Sequence, residues 1–177
     1  MRRVRLLLAA VIPAGIVPLV LASSALAAGT TSHSVYSFDL TTTNTALSPS
    51  GGMMGSPGDW ISVTGSGTFD PTARTVTGGG KFVHYTSTGA VHCQGTWKAT
   101  GFTSFADFGT NADGQEGGVL ALVVTHYCRT MGMTMAGIPM TVTSTVNAPA
   151  GSSYLEGSTV CDFTRPTGGT VVMQPDQ

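Results

Sequence analysis

Trp60-Ile61-Ser62-Val63-Thr64-Gly65-Ser66-Gly67-Thr68-Phe69, then Asp70-Pro71-Thr72-Ala73, then Thr75-Val76-Thr77-Gly78-Gly79-Gly80-Lys81-Phe82-Val83-His84-Tyr85-Thr86, is the stretch on which the reading of the fold turns. Both outer runs are rich in Thr, Val and aromatic residues and alternate in polarity, as half-buried strands do. Between them Pro71 presets φ and the Asp70 carboxylate can bond back to the backbone, a tight turn. The stretch reads as an antiparallel hairpin. Working outward, similar runs recur at 35–40, 90–102, 118–128, 133–146, 158–163 and 170–173, with Gly, Pro, Asp and Asn between them. Helical periodicity is almost absent. Most joins are short, Ser87-Thr88-Gly89-Ala90 among them, so successive strands are expected to be antiparallel neighbours. About eight meandering strands close into a barrel or stack as a sandwich, because an open sheet leaves its edges exposed. The barrel is the expected architecture, since Gly65-Ser66-Gly67 and Gly78-Gly79-Gly80 suit bends or bulges at barrel corners.

The chain opens on Met1-Arg2-Arg3-Val4-Arg5, continues through an apolar run broken by Pro13 and Pro18, and reaches Ala25-Leu26-Ala27. Basic start, apolar core and small-residue ending are the order of a secretory signal peptide. A cleaved signal over 1–27 is expected, with a secreted mature chain and no membrane span after cleavage. An N-terminal strand and a flexible Gly/Ser/Pro segment are assigned to 28–58, and the barrel domain to 59–177. Loss of Arg2, Arg3 and Arg5 leaves five Lys and Arg against nine Asp and Glu, a net charge of −4. So few cations cannot neutralise a run of phosphates, which excludes nucleic acid as an expected partner. Composition and the short basic start look bacterial.

The elements Gly67-Thr68-Phe69-Asp70-Pro71, Gly78-Gly79-Gly80-Lys81-Phe82-Val83-His84 and Gly95-Thr96-Trp97-Lys98-Ala99-Thr100 resemble those of a family of secreted, largely uncharacterised bacterial proteins. More remotely, they are similar to the small barrels of the allene oxide cyclase and dirigent type. The resemblance covers roughly residues 59 to 125 and implies a barrel. Its motifs are turns and strands, so it implies no activity and no site residue.

Three cysteines, Cys93, Cys128 and Cys161, enter an oxidising compartment and permit one bridge. If 90–102 and 118–128 are neighbouring antiparallel strands, Cys93 and Cys128 lie near the same end, and that pair is favoured over Cys128–Cys161. Folding the hairpin about Thr88-Gly89 sets His84 opposite Cys93. Alternation then puts Phe82, His84, Val91, Cys93 and Trp97 on one face, and Leu120, Leu122, Val124, His126 and Cys128 on another. Phe82, His84, Trp97, Leu122 and His126 are the expected lining of a ligand pocket.

Met131, Met133 and Met135 alternate and so share a strand face, with His126 nearby. Thioethers suit Cu(I), so these four residues are the candidate copper ligands; apolar filling is the bland alternative for methionine. Asp107, Asn111, Asp113 and Glu116 resemble a fragment of a calcium loop, but the ligand run is incomplete. No nucleophile elbow, zinc-protease helix motif or phosphate-cradling loop is present. His84, His92 and His126 are candidate bases beside an acid such as Asp59 or Glu156, and spacing selects none of them. No cofactor is required by these patterns. The expected role is non-enzymatic binding of a small hydrophobic ligand, or a function at the cell envelope. A copper-binding protein using Met and His is second, and a barrel cyclase or isomerase third.

Overall fold

The structure, a computed structural model, describes residues 35–176, and the expected signal peptide lies outside them. Nine strands make up the described residues, and there is no helix among them. They are β1 (Tyr36–Leu47), β2 (Trp60–Asp70), β3 (Thr75–Tyr85), β4 (Val91–Thr110), β5 (Glu116–Cys128), β6 (Met133–Ser144), β7 (Gly157–Val160), β8 (Arg165–Gly168) and β9 (Val172–Pro175). β1 to β7 form one antiparallel meander, each strand paired with the next. β8 and β9 return to the free side of β1, and β9 also touches β5 through the single pair Glu116↔Met173. The all-β reading therefore holds, as one large antiparallel sheet that closes partly into a ring.

The opening hairpin is in the register that its turn predicts. Asp70 Oδ1 accepts the N–H groups of Thr72 and Ala73, each at 2.8 Å, and the ladder runs from Asp70↔Thr75 to Trp60↔Tyr85. Its glycines pair with one another, Gly65↔Gly80 and Gly67↔Gly78. A Cβ on Gly80 would strike the Thr64 carbonyl, and Gly65 also sits at φ +146°, where other residues are strained. The space left by the missing side chains is filled from neighbouring strands. The Trp97 indole lies over Gly65 and the Phe38 ring over Gly67, each within 2.7 Å of where a Cβ would stand. Aromatic cover of strand glycines bends the sheet without leaving a void.

Leu120, Leu122, Val124, His126 and Cys128 all point inward and are buried, as alternation requires. His84 pairs with Cys93, as expected. Val91 departs from the expected face: a register shift follows His84, and Val91 is 50 % exposed. β4 is also longer than expected, running to residue 110 rather than 102. Irregularities at Ala99/Gly101, Phe102/Ser104 and Asp107/Gly109 interrupt its alternation, so Phe102, Phe105 and Phe108 recur every third residue. A bulge adds a residue on one strand and so hides the period of two.

Cys93 and Cys128 form a disulfide between β4 and β5, with Cα atoms 5.8 Å apart, and Cys161 is free. Burial, and then the neighbouring Asp162 carboxylate, push the Cys161 thiol up, which disfavours the thiolate a metal or electrophile needs. The Gly/Ser/Pro segment between β1 and β2 is a hydrogen-bonded loop. Gly58 N–H donates to the Ser48 carbonyl and Gly52 N–H to that of Gly55, each at 2.8 Å.

Candidate functional site

In an up-and-down meander, alternate connections fall at the same end. The β1–β2 loop, the β3–β4 turn, the β5–β6 turn and the β7–β8 turn therefore cluster at one end of the ring. That end carries most of the chemistry noted in the sequence. Met53, Met54, Phe82, His84, His92, Cys93, Met131, Met133 and Met135 line a cavity of about 130 Å³ there. An adjoining cleft of about 410 Å³ shares Met53, Met54, His84 and His92 and is otherwise polar, with Ser56, Asp59, Thr86 and Ser87.

Each donor reaches the cavity for a local reason. Met133 and Met135 stand opposite Cys128 and His126 on the inward face of the β5–β6 hairpin, and Met131 sits in its turn. Met53 and Met54 come from the β1–β2 loop, which Asp162 of the β7–β8 turn ties down. The Asp162 carboxylate accepts Met54 N–H at 3.0 Å, Gly55 N–H at 2.8 Å and the Ser48 hydroxyl at 3.3 Å. Although burial opposes its charge, these N–H donors hold the Asp162 carboxyl below its ordinary range.

His84 is buried and fixed through one nitrogen, its Nε2 lying 3.0 Å from Asp59 Oδ2. Asp59 in turn accepts the N–H groups of Ser56 at 2.9 Å and Ser87 at 2.8 Å. Burial raises the Asp59 pKa, but those donors and the His84 ring outweigh it and keep the carboxylate ionised. An ionised acceptor at Nε2 selects the tautomer that places the lone pair on Nδ1. Carboxylate, imidazole and metal in line is how metal-binding histidines are oriented. The exposed His92 ring lies 4.8 Å from that of His84. Among the described residues no Ser, Thr or Cys side chain is hydrogen-bonded to either ring, so no nucleophile–base pair is formed.

The rim is apolar and wet. Met53, Met131 and Met133 are 73 %, 47 % and 43 % exposed.

Of the residues expected to line a pocket, Phe82 and His84 do so, whereas Trp97, Leu122 and His126 belong to the packed interior. The His126 ring lies beside that of Phe82, tilted by 39° with centroids 4.4 Å apart, behind the cavity, and neither ring nitrogen has a partner. Burial alone pushes its pKa down to about 4. The folded state then binds fewer protons than the unfolded chain between about pH 4 and 6.5, so stability falls as the pH falls through that window. His126→Leu is expected to abolish that acid-side loss, worth up to about 3 kcal/mol, when thermal midpoints are followed from pH 7 to 4.

The four residues of the suggested calcium loop fall at the other end of the ring and do not gather as one set of ligands. Asn111 Oδ1 is occupied by the N–H groups of Asp113 and Gln115, while Glu116 is buried in β5. Among the described residues no three His, Cys, Asp or Glu side chains are grouped to hold a metal ion. Met53, Met54 and the pairing of His92 with His84 are additions that the sequence reading did not make. An adjacent Met-Met in an otherwise Gly/Ser/Pro stretch was the one available signal.

Compared with known proteins, the chain matches no family model, no curated protein and no solved structure.

Proposed function

We propose that the methionine-lined end of the ring is a site for one soft metal ion of the Cu(I) class, and that the protein binds copper outside the cytosol. The observation that carries this is the convergence of Met53, Met54, Met131, Met133 and Met135 with His84 and His92 on one cavity. Thioether and imidazole are neutral, soft or borderline donors, the set that selects Cu(I) over hard cations. The Cys93–Cys128 disulfide is compatible with an oxidising compartment. There, paired thiolates would oxidise to a disulfide, whereas thioethers cannot and so keep their lone pairs for a metal. Asp59 orients His84, and Asp162 anchors the loop that carries Met53 and Met54 through the N–H groups of Met54 and Gly55.

A small apolar ligand is the second reading, supported by the exposed thioether rim. Against it, the cavity of about 130 Å³ is well below the roughly 300–1,000 Å³ usual for ligand pockets. The adjoining cleft is lined largely by hydroxyls and a carboxylate.

Anaerobic titration of Cu(I) against a competing chromophoric chelator separates the two. One equivalent is expected to be retained, Ag(I) to displace it and Zn(II) not. Met131→Leu and Met133→Leu are each expected to weaken binding about tenfold, or ~1.4 kcal/mol. Asp59→Asn is expected to weaken it about 10- to 100-fold through His84. Leucine keeps the apolar surface, so an apolar ligand would be indifferent to the methionine changes. Failure to retain Cu(I), or equal affinity in the methionine variants, contradicts the copper reading.

A further inference from the structure

The chain is acidic as a whole, yet its cations are segregated. No Asp or Glu stands in 71–106 or in 117–155, and those two stretches hold Arg74, Lys81, Lys98 and Arg129, four of the five Lys and Arg that follow Arg5. Three of them meet on the outer face of β3, β4 and β5. Phe82, Trp97, His126 and Cys128 are buried, so alternation turns Lys81, Thr96, Lys98 and Tyr127 outward, and all four are exposed. The register sets Lys81, Thr96 and Tyr127 in one row across three strands, and Lys98 between Gly79 and Thr125 in the next. Arg129 follows just past β5, where its N–H donates to the Gln94 carbonyl at 2.8 Å. Among the described residues the one pair of opposite charges in contact is His84–Asp59, so no carboxylate neutralises Lys81, Lys98 or Arg129.

This face is shaped as well as charged. Lys81, Gly95, Thr96, Tyr127 and Arg129 line a depression of about 220 Å³. A second, of about 210 Å³, lies beside Lys81 and includes Thr43, Ser62, Thr64 and Val83. The two share Lys81 and make a shallow trough across the strands. Tyr127 is 45 % exposed. A second aromatic plate, Trp60 stacked on Tyr85 with centroids 3.8 Å apart, stands on the same face, four residues along β3 from Lys81. Strand spacing puts it roughly 17 Å from Tyr127.

Aromatic plates, hydroxyls and unpaired cations in one trough fit a ligand with an apolar C–H face, many hydroxyls and a sparse negative charge. A sugar ring packs its C–H face on an aromatic ring, and its hydroxyls bond to Ser and Thr. A carboxylate takes the Arg129 fork and the Lys81 ammonium. Three cations are too few for the dense phosphates of a nucleic acid, but they match a polymer with one charge per sugar. We infer that the outer face of β3, β4 and β5 binds an acidic polysaccharide, a chain of carboxylated sugars laid along the trough from Tyr127 past Lys81. The surface is separate from the metal site, because His84 and Cys93 belong to the inward face of the same strands.

Titration calorimetry with oligogalacturonate, a chain of carboxylated sugars, tests this at low salt. The oligomer is expected to bind, and to bind more tightly than single galacturonate, because one sugar cannot touch both aromatic plates. Added salt is expected to weaken it by screening the exposed charges. Lys81→Gln/Arg129→Gln is expected to weaken binding about tenfold through the lost charged hydrogen bonds, and Tyr127→Ala about tenfold through the lost ring. Tyr127→Phe keeps the ring and is expected to bind as wild type does. These side chains are exposed, so all three variants are expected to fold and to retain Cu(I). Absence of binding at low salt overturns the inference, as does unchanged affinity in the charge and Tyr127→Ala variants. A neutral glucan bound as tightly removes the role of the cations. Inorganic polyphosphate bound as tightly, and not weakened by Tyr127→Ala, removes the role of the sugar.

Discussion

Trp97→Ala is expected to remove about 3–5 kcal/mol of stability, the usual cost of deleting a buried large aromatic, and so a large part of the roughly 5–15 kcal/mol typical of a domain. The indole is 2 % exposed and its Nε1–H donates to the Thr64 carbonyl at 3.0 Å. It also covers the Gly65↔Gly80 pair, where no side chain of those strands can replace it. Trp97→Phe keeps most of the apolar area but orphans the Thr64 carbonyl, for a smaller loss of about 1–3 kcal/mol. Denaturant unfolding of both variants checks the order. A loss below that of the Phe variant in Trp97→Ala would mean that Trp97 does not support the glycine ladder.

Opening the Cys93–Cys128 bridge is the second large perturbation. Its residues are 35 apart in sequence, and loop-closure entropy assigns such a bridge about 3–4 kcal/mol. The bond has a local consequence as well. Cys93 lines the cavity, Cys128 pairs with Met133, and the chain after Cys128 turns through Met131. Cys93→Ala/Cys128→Ala is therefore expected to lose this stability and also to bind Cu(I) more weakly, although neither sulfur is a ligand in this account. Thermal unfolding and the chelator competition together check it. Unchanged metal affinity in the destabilised double variant would show that the hairpin holds its methionines without the staple.

How much of this was legible depends on whether a local rule governed the residue. The Asp70-Pro71 turn set the register of β2 and β3, and the Thr88-Gly89 connection set His84 against Cys93, because short turns leave the register little freedom. The disulfide followed from reading 90–102 and 118–128 as neighbouring antiparallel strands, and alternation put Met133 and Met135 on one face of β6, whereas Met131 lies in the turn before that strand and not on its face. Bulges defeated the same logic. They displaced Val91 to the surface and disguised 103–110 as loop, and the polar run 41–47 of β1 has no alternation to reveal its pairing after the irregularity at Leu40/Asn44. Met53 and Met54 were invisible for another reason: their loop is placed by Asp162, more than a hundred residues away. The place of Glu116 was hidden because it depends on burial, and in sequence it resembled a solvated loop acid.

X-ray absorption at the copper edge, on protein loaded with one equivalent of Cu(I), tests the metal site most directly. The account predicts thioether sulfur and imidazole nitrogen around the metal, with fewer sulfur neighbours in Met131→Leu/Met133→Leu and the nitrogen signal disturbed in Asp59→Asn. A copper environment of nitrogen and oxygen alone, or one unchanged by the methionine substitutions, would contradict it.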